Sequence, residues 1–88
     1  MISREAQIQN RKGLHARASA QVVKCAELFE ATTYVCYQNM RVSAQSIMGL
    51  LMLGVSHGST VVIEGEGVDE IEAVSSLIDL IENKFGEG

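Results

Sequence analysis

The sequence contains no proline and only four aromatic residues, two Tyr and two Phe. Without proline, its turns must rest on glycine and polar residues. Scarce aromatics and a net charge of −4 argue against a nucleic-acid partner, which calls for a basic patch or stacking rings. No apolar stretch approaches the roughly 20 residues of a membrane span. The most apolar run, Ile47 to Val55, has nine residues and contains two glycines. Met1-Ile2-Ser3-Arg4-Glu5 lacks a basic head followed by an apolar stretch, so no secretory signal is expected. Cys25 and Cys36 form no CxxC motif and lie in apolar stretches. Two reduced, partly buried thiols in the cytoplasm are the preferred reading, and a single disulfide in an exported protein is the alternative. No Cys/His spacing suggests a metal. Gly65-Glu66-Gly67-Val68 lacks the helix-opening context of a nucleotide loop. No cofactor is expected.

What is present suits one domain over residues 1–88, since 47% of the chain is apolar and a chain of this size buries about 60–68% of its unfolded surface. Residues 3–9 alternate as a half-buried strand, with Arg4, Ala6 and Ile8 on one side and Glu5 and Gln7 on the other. Asn10-Arg11-Lys12-Gly13 breaks it. A helix follows from Ala16, with Ala16, Ala20, Val23 and one of Ala26 and Glu27 along one side, flanked by Val22, Cys25 and Phe29, and it stops near Leu28 or Phe29. Thr32–Tyr37 and Met40–Ser43 read as strands around a Gln38-Asn39 turn. Ser46 caps a short helix through Leu53 that Gly54 closes. Thr60–Glu64 is a strand ended by Gly65 and Gly67. Ile71, Val74, Ile78, Ile81 and Phe85 recur at helical gaps over the last segment. The order β-α-β-β-α-β-α predicts an α+β fold, a short antiparallel sheet with helices on one face and Glu5, Gln7 and Glu64 on the other.

The chemically informative segment is Gly13-Leu14-His15-Ala16-Arg17-Ala18-Ser19-Ala20. A helix start ordinarily wants Ser, Thr, Asp or Asn as its cap. Histidine there contributes little to stability, but the choice makes sense if the position serves chemistry. The first turn offers unpaired N–H groups and the positive end of the helix dipole, an anion site suited to a phosphoryl group. The same field disfavours an imidazolium, and only the uncharged ring has a lone pair with which to attack phosphorus. Arg17 adds a forked donor set for phosphate oxygens. Gly13 permits a tight turn, and Arg11, Lys12, Arg17 and Lys24 can build a local positive field. Against this, a lone His near a helix end is ordinarily a surface residue. His57, in the turn Ser56-His57-Gly58, is read as one.

GLHARASAQVV resembles the active-site signature of the HPr family, the histidine phosphocarriers of the bacterial phosphotransferase system, and SAQSIMGLLMLG resembles that family's second signature, around a regulatory serine. The resemblance spans nearly the whole chain. It implies an open-faced β-sandwich with a four-stranded antiparallel sheet and three helices on one face. It also implies that the δ nitrogen of His15 takes a phosphoryl group from enzyme I, drawn from phosphoenolpyruvate, and passes it to an enzyme IIA. Arg17 would steady the phosphoryl group, and Ser46 would be the target of HPr kinase/phosphorylase in bacteria that have that enzyme. Ala18 stands where sugar-transport members usually carry proline. Glu27, Gln45 and Gly49 stand at positions often basic in those members. SIMGLLMLG is similar to the HPr of alphaproteobacteria and to the nitrogen-related branch called NPr, so a regulatory IIA protein is as good a receiver as a sugar permease.

Six of the seven residues from Ile47 to Leu53 are apolar. Leu50 and Leu53 are assigned to the core. Ile47, Met48 and Leu51 are then expected to form an exposed docking surface, with Ala16 and Ala20 as further partner contacts. A short helix covered entirely by loops is the alternative. A phosphorylated Ser46 would put a dianion in that patch and act on docking rather than on the fold. The leading expectation is a monomeric, cytoplasmic phosphocarrier, not an enzyme, with no nucleic-acid or membrane partner. The competing one is a regulatory docking protein switched at Ser46. A small-molecule or RNA-binding α+β domain lacks the aromatics or basic face it would need.

Overall fold

The computed structural model describes residues 1–87. The elements run β1 (Ile2–Gln7), α1 (Ala16–Ala26), β2 (Thr32–Tyr37), β3 (Met40–Ser43), α2 (Ile47–Met52), β4 (Thr60–Glu66) and α3 (Glu70–Glu82), followed by a 3₁₀ turn at Lys84–Gly86. The strands form one antiparallel sheet in the order β1-β4-β2-β3. Strand alternation sets the two faces. Ala6 pairs with Val61, and Ile63 with both Arg4 and Val35. Ala6, Val35, Val61 and Ile63 all point into a core completed by Val22 of α1, Leu50 of α2 and Val74, Leu77, Ile78 and Ile81 of α3. The other face is open. On it Arg41 Nε donates to Glu64 Oε1 at 2.9 Å while its guanidinium lies 3.6 Å from the Tyr34 ring centroid. Glu5 and Gln7 are exposed as expected. Cys25 and Cys36 are free, partly buried thiols, and burial raises the pKa of each.

Several expectations need correction. The buried side of α1 carries Ala18, Ser19, Val22 and Ala26, while Ala16 is exposed and Ala20 and Val23 are only partly buried. An alanine-rich helix has a weak stripe, and here Val22 sets its rotation. Ser19 disguises that face in the sequence because a polar residue is buried in it, its Oγ donating to the Leu14 carbonyl at 3.3 Å. Second, β4 continues through Gly65 to Glu66. Gly65 ends nothing: a Cβ there would lie 2.7 Å from Val74 Cγ2, so the glycine lets α3 pack close. Third, Ile71 is 62% exposed. It lies about 60° round the helix from Val74, and Leu77 takes its place in the buried stripe.

Phe85 is buried as expected, but not by a continuing helix. Lys84, Phe85 and Gly86 have φ of 56°, 55° and 76°. Left-handed conformation costs a non-glycine residue roughly 1–2 kcal/mol. Burying a phenylalanine returns about 1.5–3 kcal/mol. Turn bonds from Gly86 N–H to the Asn83 carbonyl (3.0 Å) and from Glu87 N–H to the Lys84 carbonyl (2.9 Å) hold the reversal. Glu87 is thereby aimed at the start of α1.

Candidate functional site

The loop between β1 and α1 fixes the backbone ahead of His15. Gly13 has φ +63°, and a Cβ there would lie 2.4 Å from the Val55 carbonyl oxygen, so only glycine fits both the turn and the close approach. Leu14 is buried and its N–H donates to that same carbonyl at 3.0 Å. Asn10, fully buried, donates from Nδ2 to the Gly13 carbonyl at 2.7 Å. The segment is thus pinned on both sides of the glycine.

His15 occupies the N-cap of α1 with extended backbone (φ −78°, ψ −177°), and its carbonyl accepts the first helical bond from Ser19 N–H at 2.8 Å. Its side chain makes no capping bond. The amides of the first turn, Ala16 to Ala18, therefore gain no partner from the cap residue. Proline is not needed to start the helix, since α1 begins at Ala16 with Ala18 buried in its third position. The His15 side chain is 23% exposed, open to a visitor on one side.

On its other side the ring meets a residue the sequence reading did not single out. His15 Nε2 lies 2.5 Å from Glu87 Oε2. Asn10 Nδ2 donates to Glu87 Oε1 at 3.1 Å, and Arg17 Nη2 stands 3.8 Å from Oε2. The hydrogen bond with His15 is the main force holding the Glu87 carboxyl below the usual carboxylate range, with Asn10 and neighbouring positive charge adding to it against some desolvation. Arg17 remains 67% exposed and free to turn to another anion. Arg11 and Lys12 are exposed in the preceding loop. Lys24 does not belong to this group, because it lies in the last turn of α1, about 10 Å along the axis from Arg17. The signals for Glu87 were Asn83 and Gly86, stop residues beyond the helical stripe that turn the chain back.

Ser46 caps α2, its Oγ accepting from Gly49 N–H at 3.0 Å. Leu50 and Leu53 are buried, while Ile47, Met48 and Leu51 are exposed. Met52 joins them at 69% exposure. The alternative in which loops cover this helix is therefore excluded. Ala16 is exposed and Ala20 half-buried on α1, which packs against α2. His57 sits exposed in its turn. No cluster of His, Cys, Asp and Glu among the described residues could hold a metal ion, and no helix among them is long and apolar enough to cross a membrane.

The family model described as "PTS HPr component phosphorylation site" matches residues 2–83. The chain belongs to the HPr family. It is 46% identical over 88 residues to phosphocarrier protein HPr of Cupriavidus necator, across 100% of this chain and 99% of that one. Phosphocarrier protein NPr of Shewanella violacea is 35% identical over 86 residues, 98% of this chain and 94% of that one. The crystal structure of HPr-C-His from Thermoanaerobacter tengcongensis superimposes with a TM-score of 0.95 at 46% identity, covering 100% of this chain and 99% of that chain. The fold is accordingly the open-faced α+β sandwich of HPr. Membership makes the chain a phosphocarrier-type component of the phosphotransferase relay rather than a catalyst with its own turnover.

Proposed function

We propose that His15 accepts a phosphoryl group from enzyme I, originally from phosphoenolpyruvate, and passes it to an enzyme IIA in the cytoplasm. One observation supports this above the rest: a partly exposed imidazole at a helix N-cap that makes no capping bond. The ring lone pair attacks phosphorus, the N–P bond forms, and the bond to the donor breaks with its electron pair remaining on the donor. The first-turn amides and the helix dipole favour the transferred dianion. Arg17, exposed and 3.8 Å from the carboxylate that meets the ring, supplies a forked guanidinium to the dianion's oxygens. The exposed apolar side chains Ile47, Met48 and Leu51, with Ala16 and Ala20, form the surface on which the donor and receiver dock in turn. Incubation with enzyme I and labelled phosphoenolpyruvate is expected to give acid-labile label on the protein. Label that is absent, or that persists in His15→Ala, refutes the reading.

The Ser46 hydroxyl gives a second, compatible reading, regulation by HPr kinase/phosphorylase. Ser46 is partly exposed and opens the helix that carries the apolar patch. A phosphate there adds nearly two negative charges at a helix N-terminus, which the helix tolerates, and puts a dianion among side chains that must be desolvated on docking. The expected result is unchanged circular dichroism and slower transfer from enzyme I. An unchanged rate removes the switch.

A further inference from the structure

We infer that Met48 and Met52 are a paired oxidation site on the docking face: a peroxide that converts their thioethers to sulfoxides weakens the hold of partner proteins on α2 and leaves the fold and His15 intact. This rests on the reading of the exposed α2 side chains as the docking surface for transfer. The two methionines stand four residues apart in α2, which puts both side chains on one side of the helix about 6 Å apart along its axis. Their exposures of 70% and 69% exceed those of Ile47 and Leu51 in the same patch. A small oxidant can therefore reach both sulfurs, while Leu50 and Leu53 hold the opposite side of the helix in the core.

Methionine ordinarily fills irregular gaps inside a core. None of the four methionines does so here: Met1 and Met40 are exposed as well, and the core is built from Ala, Val, Leu, Ile and Phe85. Oxidation of methionine therefore puts no polar oxygen into the core, and the fold survives it. Cys25 and Cys36 compete poorly for a peroxide. The thiolate is their reactive form, and burial raises both thiol pKa values, so little thiolate is present near about pH 6. A thioether has no proton to lose and keeps its reactivity there.

The step balances. A sulfur lone pair attacks one peroxide oxygen, the O–O bond breaks, sulfur keeps that oxygen as a sulfoxide, and the other oxygen leaves as water. Sulfur is oxidised by two electrons and the peroxide is reduced by two. Methionine sulfoxide reductases reverse the step at the expense of a dithiol, which ends as a disulfide while the oxygen leaves as water. The sulfoxide makes a polar side chain of an apolar one. A partner that covers the patch must then strip water from that oxygen without supplying a donor, which opposes docking. His15, the first-turn amides and Arg17 carry no thioether, so the chemical step keeps its rate once the complex forms.

The test treats the full chain with hydrogen peroxide at about pH 6, where thiolate is scarce. Peptide mass mapping should place an added oxygen on Met48 and on Met52, with the far-ultraviolet circular dichroism unchanged. In transfer from enzyme I, the apparent KM for the oxidised protein should rise roughly tenfold, the order expected when a polar oxygen is buried without a partner, while the maximal rate holds. Dithiothreitol alone should not restore KM, and dithiothreitol with the methionine sulfoxide reductases should. Met48→Leu/Met52→Leu keeps His15 and both cysteines. Compared with its own untreated KM, whatever that value is, it should show no rise on oxidation. Sulfoxides at both positions with an unmoved KM, an equal rise in the double variant, a fall in maximal rate instead, loss of the folded spectrum, recovery with dithiothreitol alone, or thioethers that peroxide does not reach would each overturn the site. Leu51→Lys separates it from the docking surface. An unmoved KM in Leu51→Lys overturns that surface, and the site with it. A raised KM there, with none after oxidation of the wild type, overturns the oxidation site alone. Untreated wild-type protein that takes no label overturns the carrier reading.

Discussion

Phe85→Ala separates the buried anchor of the segment that carries Glu87 from the rest of the core. Deleting a phenylalanine side chain from an enclosed core costs about 3–5 kcal/mol. Phe85 is 2% exposed, which places it in that class by burial. Its backbone argues for a smaller loss. Lys84 and Phe85 are both left-handed, at roughly 1–2 kcal/mol each, and the segment follows the last helix at the edge of the fold. Once the ring is gone, the turn can unwind and recover about 2 kcal/mol of strain. The expected net loss is therefore about 2 kcal/mol. A chain of this length has about 4–13 kcal/mol of stability in total, so the variant remains folded. Urea denaturation followed by far-ultraviolet circular dichroism measures the loss. The same sample should lose, in ¹H–¹⁵N NMR, the slowly exchanging His15 Nε2–H signal expected from the Glu87 contact, because Glu87 reaches the ring only through this turn. A loss of 4 kcal/mol or more (~4, the full core value) would mean the turn stays closed without its anchor, and a retained Nε2–H signal would show that Phe85 does not position Glu87. Either result refutes the argument.

Lys84→Gly should stabilise the chain by about 0.5 kcal/mol, as relief of left-handed strain outweighs the extra entropy of an unfolded glycine. The midpoint of urea unfolding checks it. Ser46→Ala should cost about 1 kcal/mol by leaving Gly49 N–H without its side-chain acceptor, measured in the same way. Gly65→Ala should cost about 1–3 kcal/mol, since its Cβ would lie 2.7 Å from Val74 Cγ2, and a Gly65→Ala/Val74→Ala double mutant should lose less than the sum of its parts. The Glu87 carboxyl is depressed in the folded chain relative to its ordinary value of 4.5. Its contribution to stability is therefore complete above that value and lost as pH falls through the depressed one. The groups facing it are His15, Arg17 and Asn10. Acidification from about pH 5 to about pH 3 should destabilise the wild type more than Glu87→Gln, and equal slopes would contradict the contact.

Legibility followed the strength of local signals. Thr32–Tyr37 and Met40–Ser43 were readable to the residue because β-branched and aromatic side chains flank a two-residue turn. Ser46 as a cap, with Leu50 and Leu53 inside, followed from the need of a short apolar helix to turn one side to the core. The rotation of α1 was not readable, since four of its eleven residues are alanine and Ser19 is buried among them. Gly65 misled because a glycine that ends a strand and one that admits a helix look alike in sequence; only the position of Val74 distinguishes them. His15 and Arg17 stood out as a histidine in a cap position with a guanidinium two residues on. Glu87 did not, because it is separated from His15 by 72 positions and reaches it through a left-handed turn that no periodic pattern encodes.

That long-range contact bears on how a carrier site can work in both directions. A carrier must make its N–P bond readily and give it up as readily, so stabilising the phosphorylated state alone would trap it. In the transfer proposed for His15, Arg17 and the first-turn amides face the dianion, whereas Glu87 contacts the ring that leaves it. The two influences oppose each other through their own pairing, since Arg17 Nη2 and His15 Nε2 both approach Glu87 Oε2. When Arg17 turns to a phosphoryl group it weakens its hold on the carboxylate, which then carries more of the charge on the ring. Removing Arg17 and removing Glu87 should therefore not add: the double variant Arg17→Ala/Glu87→Ala should slow transfer from enzyme I by less than the product of the single effects. Strictly multiplicative effects in single-turnover transfer would show that the guanidinium and the carboxylate act on the histidine independently.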